Sequence, residues 1–219
     1  MTDNNDFVSP FFSEEVTAPH SPYWAARREL AAAMRELQAL MCTSDIDPEA
    51  ATALTARLRA EVNILRACPQ YHGVVTFAKE SGHGSLPVAN HELLSVGGHS
   101  HPAAPGLHMW HEEHETRGKV RCSWAFEGPP GHVHGGWIAA IFDHFMGMAH
   151  MRGGKPGMTG GLSVRYHAPT PIDQELSLTA TTESAGERRT LVKAEMSCGD
   201  TLTASAEAMF IRPKHKIFG

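Results

Sequence analysis

The sequence predicts an α+β protein in which an antiparallel β-sheet wraps around one central helix, with a helical hairpin on the N-terminal side. Three observations carry that prediction. In GGWIAAIFDHFMGMA, the side chains of Trp137, Ile138, Ala140, Ile141, Phe142, Phe145, Met146, Met148 and Ala149 are too many for one 100° stripe. A helix that is apolar nearly all round belongs inside a core. After it come four segments in which apolar and polar residues alternate, the pattern of strands with one buried face. Before it lie two stretches with helical periodicity and helix-start signals. One helix against an antiparallel sheet is an α+β layer arrangement.

Residues 1–20 read as a leader rich in Asn, Ser, Pro and acidic residues. Ser21-Pro22 is an N-cap followed by proline at the first helical position. The sequence YWAARRELAAAMRELQALM then places Leu30, Met34, Leu37 and Met41 at helical spacing. Asp47-Pro48-Glu49 repeats the start signal. Leu54, Leu58, Val62 and Leu65 mark one face of a second helix, which ends before Pro69. Two amphipathic helices joined by a short turn predict the hairpin, and residues 1–68 are assigned to it and its leader as a packing or dimerisation appendage.

Residues 69–106 are dominated by Gly, Pro, Ser and His, interrupted by GVVTFA and ELLSV, either of which suits a short strand. This region is expected to be a long, partly ordered connection folding over the active site. Residues 107–219 form the sheet-and-helix unit. In TRGKVRCSWAFE, Val120, Cys122, Trp124 and Phe126 alternate with Lys119, Arg121 and Ser123, which predicts a half-buried strand. Beyond the helix, the predicted strand faces are Leu162, Val164 and Tyr166; Leu176, Leu178 and Ala180; Val192, Ala194, Met196 and Cys198; and Leu202, Ala204, Ala206, Ala208 and Phe210. Connections at Pro169-Thr170-Pro171, Ala185-Gly186-Glu187 and Gly199-Asp200 are short enough for antiparallel neighbours. The small Ala204, Ala206 and Ala208 leave room for close approach of a helix.

Composition narrows the function. With 219 residues, 42% of them hydrophobic and 20% charged, the chain can bury a sizeable core. A net charge of -5 and a pI near 6.3 argue against a nucleic-acid partner, which calls for a basic face. No apolar run approaches the ~20 residues that span a bilayer, so no membrane partner is expected. The acidic start MTDNNDF lacks the basic and apolar run of a secretory signal. Cys42, Cys68, Cys122 and Cys198 have no CxxC spacing. A cytoplasmic protein with reduced thiols is the expectation. His99, His101, His108, His111 and His114 invite a zinc reading. HEEH is not HExxH, however, and a spacing of three along a strand sends side chains to opposite faces. A solvated, flexible segment accounts for them better, and no metal is assigned.

The central helix also carries chemistry. Gly135-Gly136 at its start presents backbone N–H groups with no side chain in the way, at the positive end of the helix dipole. Such a terminus can hold the oxygen of a polarised carbonyl. Asp143 sits at the centre of the helix, where a buried carboxylate is costly unless paired or used. It lies ~12 Å along the axis from Gly135, at 1.5 Å per residue. One helix therefore cannot bring both groups to one carbon, but two antiparallel copies across a two-fold axis can.

HGGWIAAIFDHFMG, followed by TGGLSVRYHAPTP and TASAEAMFIRPK, resembles the hotdog-fold thioesterases. It is most similar to the phenylacetate-degradation (PaaI-type) branch and the human mitochondrial acyl-CoA thioesterases related to it. The resemblance covers about residues 107–212, and its specificity lies in the combination of HGG, an acid nine residues after its His, and a strand bearing Tyr-x-x-Pro. It implies a hotdog fold and hydrolysis of an acyl thioester, usually of coenzyme A, by a homodimer or dimer of dimers without metal or redox cofactor.

Carried over, the Gly135 N–H polarises the thioester carbonyl and His134 sits beside it or shapes the turn. Asp143 of the partner subunit acts as general base or nucleophile. Thr159 matches a position where related enzymes use a hydroxyl to orient water or the acid. Gly136, Trp137 and Phe142 are assigned to substrate binding, the two aromatic rings as part of an apolar acyl pocket. Arg152 and Lys155, with Arg165 and Lys214, are candidates for the phosphates of coenzyme A. Two rival readings are a hotdog acyl-thioester hydratase or dehydratase, suggested by His144 beside Asp143, and a non-catalytic acyl-CoA-binding or sensing domain.

Overall fold

A computed structural model describes residues 18–151, 157–184 and 186–213. The proposed leader through Thr17, Arg152, Lys155 and Lys214 lie outside the described residues. Helices α1 (Pro22–Thr43) and α2 (Pro48–Ala67) begin where the capping signals place them. Ser21 accepts from the Trp24 N–H, and Asp47 accepts from the Glu49 and Ala50 N–H groups.

The two helices do not pack their predicted apolar faces inward. On α1 the side toward the body carries Trp24 and Ala31, while Leu30, Met34 and Met41 are exposed. No residue of α2 is buried. Trp24 is fully buried and seats α1 against Phe77 and Ala89, with its indole N–H donating to the His83 carbonyl at 2.7 Å.

Residues 69–106 differ from expectation. GVVTFA lies in helix α3 (Val74–Glu80), and ELLSV straddles the end of α4 (Leu86–Leu93). Proline at the start of α4 favours a helical turn, and burial of Phe77 and Ala89 against Trp24 holds both short helices. Glu92 at the end of α4 is 1% exposed. It is satisfied by two nitrogens of the Arg28 guanidinium, at 3.0 and 2.7 Å, and by the Ser100 hydroxyl at 2.6 Å. Arg35 adds a bond of 3.0 Å to the His101 carbonyl. The segment after α4 is thus strapped to α1 rather than loose.

The sheet comprises β1 (His108–His111), β2 (Thr116–Arg121), β3 (Met158–Tyr166), β4 (Glu175–Ser184), β5 (Arg189–Cys198) and β6 (Thr201–Ile211). All pairings are antiparallel, in the order β1-β2-β4-β5-β6-β3. Two expectations need correction. The strand through residue 126 ends at Arg121, and Trp124–Phe126 forms a 3-10 turn that leaves Trp124 exposed and Phe126 buried. The strands after the helix are not a simple meander, because β3 pairs with β6 rather than with its successor β4. The intervening segment is fixed on both sides as it crosses. Thr203 accepts from the His167 and Ala168 N–H groups, and Thr170 accepts from that of Val133.

Helix α5 (Gly135–Met151) lies against β3 to β6. Ile138, Ile141, Phe142, Phe145, Met146 and Ala149 are buried against Leu176, Leu178, Val192, Met196 and Phe210. Ala204, Ala206 and Ala208 are buried beneath it, small enough to admit its close approach. Gly118 performs the same service on β2: a Cβ there would lie 3.0 Å from the Phe145 ring. His108 to His111 form an edge strand rather than a flexible segment, and His111 Nδ1 bonds the Thr116 hydroxyl at 2.8 Å. Among the described residues no three His, Cys, Asp or Glu side chains converge to hold a metal ion.

Candidate active site

The site begins in the turn before α5. Two antiparallel bridges, Glu127 with Val133 and His132 with Pro171, clamp the Pro129-Pro130-Gly131 loop. Gly131 takes φ 76°, a conformation that glycine adopts without steric cost. The loop delivers His134 with its N–H donating to the Phe126 carbonyl. Its ring folds back so that Nδ1 accepts from the Gly136 N–H at 2.9 Å. A Cβ on Gly136 would sit 3.0 Å from that nitrogen, so the absent side chain permits the cap. His134 therefore shapes the helix start, and with Nδ1 as acceptor the proton of the neutral ring resides on Nε2.

This capping separates the two glycines. The Gly136 N–H is spent on His134, whereas the Gly135 N–H has no acceptor among the described residues. Orphan donors at a helix start are free to bind an oxygen. The carbonyl of Gly135 is also held, accepting from the Tyr166 hydroxyl at 2.8 Å. Tyr166 thus ties the first turn of α5 to the end of β3. Tyr-x-x-Pro marks this residue in the sequence, but the bond was not foreseen, since a strand tyrosine reads equally well as β propensity.

Asp143 is exposed, contrary to the buried carboxylate expected from the apolar helix. It projects on the side of α5 next to β3, an end strand of the sheet with no neighbour on its outer side among the described residues. The Thr159 hydroxyl donates to Asp143 Oδ1 at 2.7 Å, so those two predicted residues meet. Neither His144, His150 nor an arginine forms an ion pair with Asp143 among the described residues. Gly135 and Asp143 stay eight residues apart on one helix.

His144 points elsewhere. Its Nε2 is buried, has no hydrogen-bond partner among the described residues, and lies against Gly97, where a Cβ would fall 2.0 Å away. Burial lowers its pKa to about 4, against a smaller raising influence from Asp143. Trp137 is half-buried, with its ring edge-on to Phe126 at 4.8 Å. Phe142 is fully buried in the core, withdrawn from any surface that a ligand could reach in the single chain.

A family model of the thioesterase superfamily matches residues 130–206, from the Pro-Pro-Gly loop into β6. The crystal structure of a thioesterase superfamily protein is 28% identical, with a TM-score of 0.68 over 88% of this chain and 96% of that one. A conserved protein from Pseudomonas aeruginosa is 23% identical, with a TM-score of 0.46 over 50% of this chain and 90% of its own. The E. coli PaaI protein of the phenylacetic acid degradation operon is 14% identical, at 0.48 over 51% and 83%. The family match and the likeness spanning most of the chain accord with the six-stranded sheet around α5: the chain has the hotdog fold of thioesterase superfamily proteins.

Proposed function

We propose that this protein is a thioesterase that hydrolyses an acyl-CoA to the free acid and coenzyme A, in a homodimer with two sites. The observation that carries the reading is the pairing of an uncommitted Gly135 N–H with an exposed, hydroxyl-oriented Asp143 on one helix. The ~12 Å between them calls for a second copy, arranged so that each helix start faces the other subunit's carboxylate. The open outer edge of β3, beside both groups, suits such a two-fold contact.

In the general-base form, Asp143 takes a proton from water as its oxygen bonds to the thioester carbon. The Gly135 N–H stabilises the negative charge that develops on the carbonyl oxygen. Collapse of the tetrahedral intermediate breaks the C–S bond, and the coenzyme A thiolate leaves and is protonated. In the nucleophilic form, a carboxylate oxygen attacks the carbon and the C–S bond breaks to expel the coenzyme A thiolate, which is protonated; water then hydrolyses the mixed anhydride to the free acid and returns the Asp143 carboxylate. Thr159 orients the acid in both. Gly136, with its N–H capped by His134, leaves the approach to Gly135 clear, and Trp137 borders the acyl side. The PaaI-like assignment rests on HGG, Asp143 and Tyr-x-x-Pro together. Arg152 and Lys155, just beyond the end of α5, remain the candidates for the coenzyme A phosphates. Among the described residues no helix is long and apolar enough to cross a membrane.

The hydratase alternative asks His144 and Asp143 to share a substrate. Burial of the His144 ring against Gly97 argues against it. The deciding experiment is thiol release from a panel of aromatic, medium-chain and long-chain acyl-CoAs by the wild type and by Asp143→Ala, each checked for fold. A loss of ~100-fold or more in the variant, the scale of losing a general base, supports the reading. Binding without hydrolysis by the wild type would favour the sensing alternative, and unchanged hydrolysis in the variant would remove Asp143 from the mechanism.

A further inference from the structure

The N-terminal arm leaves an apolar surface open. On α1, Leu30, Leu40 and Met41 are each more than half exposed, at 51%, 52% and 54%. On α2, Leu58, Val62 and Leu65 are exposed and nothing is buried. Helix α2 runs for 20 residues with none of them buried. Its stability normally comes from covering an apolar face, and an exposed patch of this extent marks an association surface.

We infer that this arm is an assembly surface for a second copy of the same chain, with α2 lying antiparallel to its counterpart about a two-fold axis. At 100° per residue, Ala51, Leu54, Leu58, Val62 and Leu65 form one stripe. That stripe is nearly self-complementary about Ala60: Leu58 falls opposite Val62 of the other copy, and Leu54 within one residue of Leu65. Arg57 and Glu61 lie on the same flank of the stripe. In an antiparallel pair equivalent flanks face each other, which sets Arg57 of each copy against Glu61 of the other. An unrelated partner helix gives no reason for the apolar stripe, centred near Ala60, and the charges, centred at Arg59, to fall within one residue of each other. The surface is separate from the β3 edge and does not depend on the thioesterase reading.

The charge pair supplies a test, read on the full chain as molecular mass against concentration by light scattering. Arg57→Glu alone creates two Glu–Glu contacts per pair, and Glu61→Arg alone creates two Arg–Arg contacts. Each is expected to weaken self-association about ten-fold, the sum of small effects at exposed pairs. An equimolar mixture of the two variants restores both attractive contacts and the wild-type association. Leu58→Glu combined with Val62→Glu is expected to abolish assembly through the arm under all mixing conditions, with circular dichroism showing the sheet intact. Wild-type mass retained by either single variant or by the double variant, a mixture that stays weakened, or a wild-type chain that never associates would each overturn the proposal.

Discussion

The hydroxyl that meets Asp143 comes from the edge of the sheet: Thr159, on β3, donates to Oδ1 at 2.7 Å. Both residues are exposed, so the bond contributes little to folding, and its consequence is to fix one carboxylate oxygen while leaving the other open. Thr159→Val is expected to lower the rate of thiol release roughly ten-fold, near the lower end for one hydrogen bond to a charged group. Its thermal midpoint should stay close to that of the wild type, and Thr159→Ser should recover most of the rate. Equal rates for Val and Thr at this position would remove the hydroxyl from the proposed mechanism.

Gly135 provides a second test of the helix start. A Cβ there would lie 3.2 Å from the Tyr166 hydroxyl, a contact that a small shift of the ring relieves. Gly135→Ala should therefore fold, yet place a methyl group beside the one uncommitted N–H. The N–H itself remains, so the effect is that of obstructing a donor whose complete loss costs about 10²–10³ in kcat, and a loss toward the lower bound is expected here with the thermal midpoint little changed. An active Gly135→Ala enzyme would mean that the carbonyl binds elsewhere.

Much of this site is legible in the sequence, and the features that are not share a cause. The N-caps at Ser21 and Asp47 and the helix beginning at Gly135 follow from local chemistry and short spacing, whereas the Thr159 hydroxyl near the acid is reached only through the family resemblance. Burial of Asp143 did not follow, because periodicity identifies a helix in a core but cannot say that its carboxylate borders an edge strand with an open side. The pairing of β3 with β6 was also hidden. A short connection permits adjacency without enforcing it, and here the segment is held by Thr203 and Val133 from distant parts of the chain. Helices α3 and α4 are too short to show a period and depend on Trp24, some fifty residues earlier in the chain. The outward face of α1 was missed because Trp24 and Ala31 form a less conspicuous stripe than Leu30, Met34, Leu37 and Met41.

Acid should destabilise the protein through two histidines. Burial lowers His144 to about 4, and burial, reinforced by the Arg28 charge, lowers His99 to about 4. Between that value and the ordinary 6.5 the unfolded chain binds protons that the folded chain does not. Stability from these groups is thus complete above pH ~6.5 and is lost as pH falls toward 4, by roughly 3 kcal/mol for each. Urea unfolding from pH 7 to 4.5 should show the decline, and His144→Gln should flatten it by about half. A parallel slope in that variant would show that the ring takes up its proton in the folded state.

The strap between α1 and α4 rests on a charge that water does not reach. Glu92 is 1% exposed, and its compensation comes from Arg28 on α1 together with the Ser100 hydroxyl. Removing Arg28 would leave the carboxylate buried with one hydroxyl partner, and breaking one side of such a pair costs about 3–5 kcal/mol. Replacing both charges by apolar groups removes the desolvation penalty with the attraction, and is often close to neutral. Arg28→Met should therefore lower the urea midpoint sharply, whereas Arg28→Met combined with Glu92→Met should restore most of it. Because Ser100 and Gly97 lie on the strap that covers His144, the single variant should also raise amide exchange in the turn of α5 around His144. A small midpoint change in Arg28→Met would mean that α1 leaves the strap without cost, and the buried pair would then not be what docks the arm.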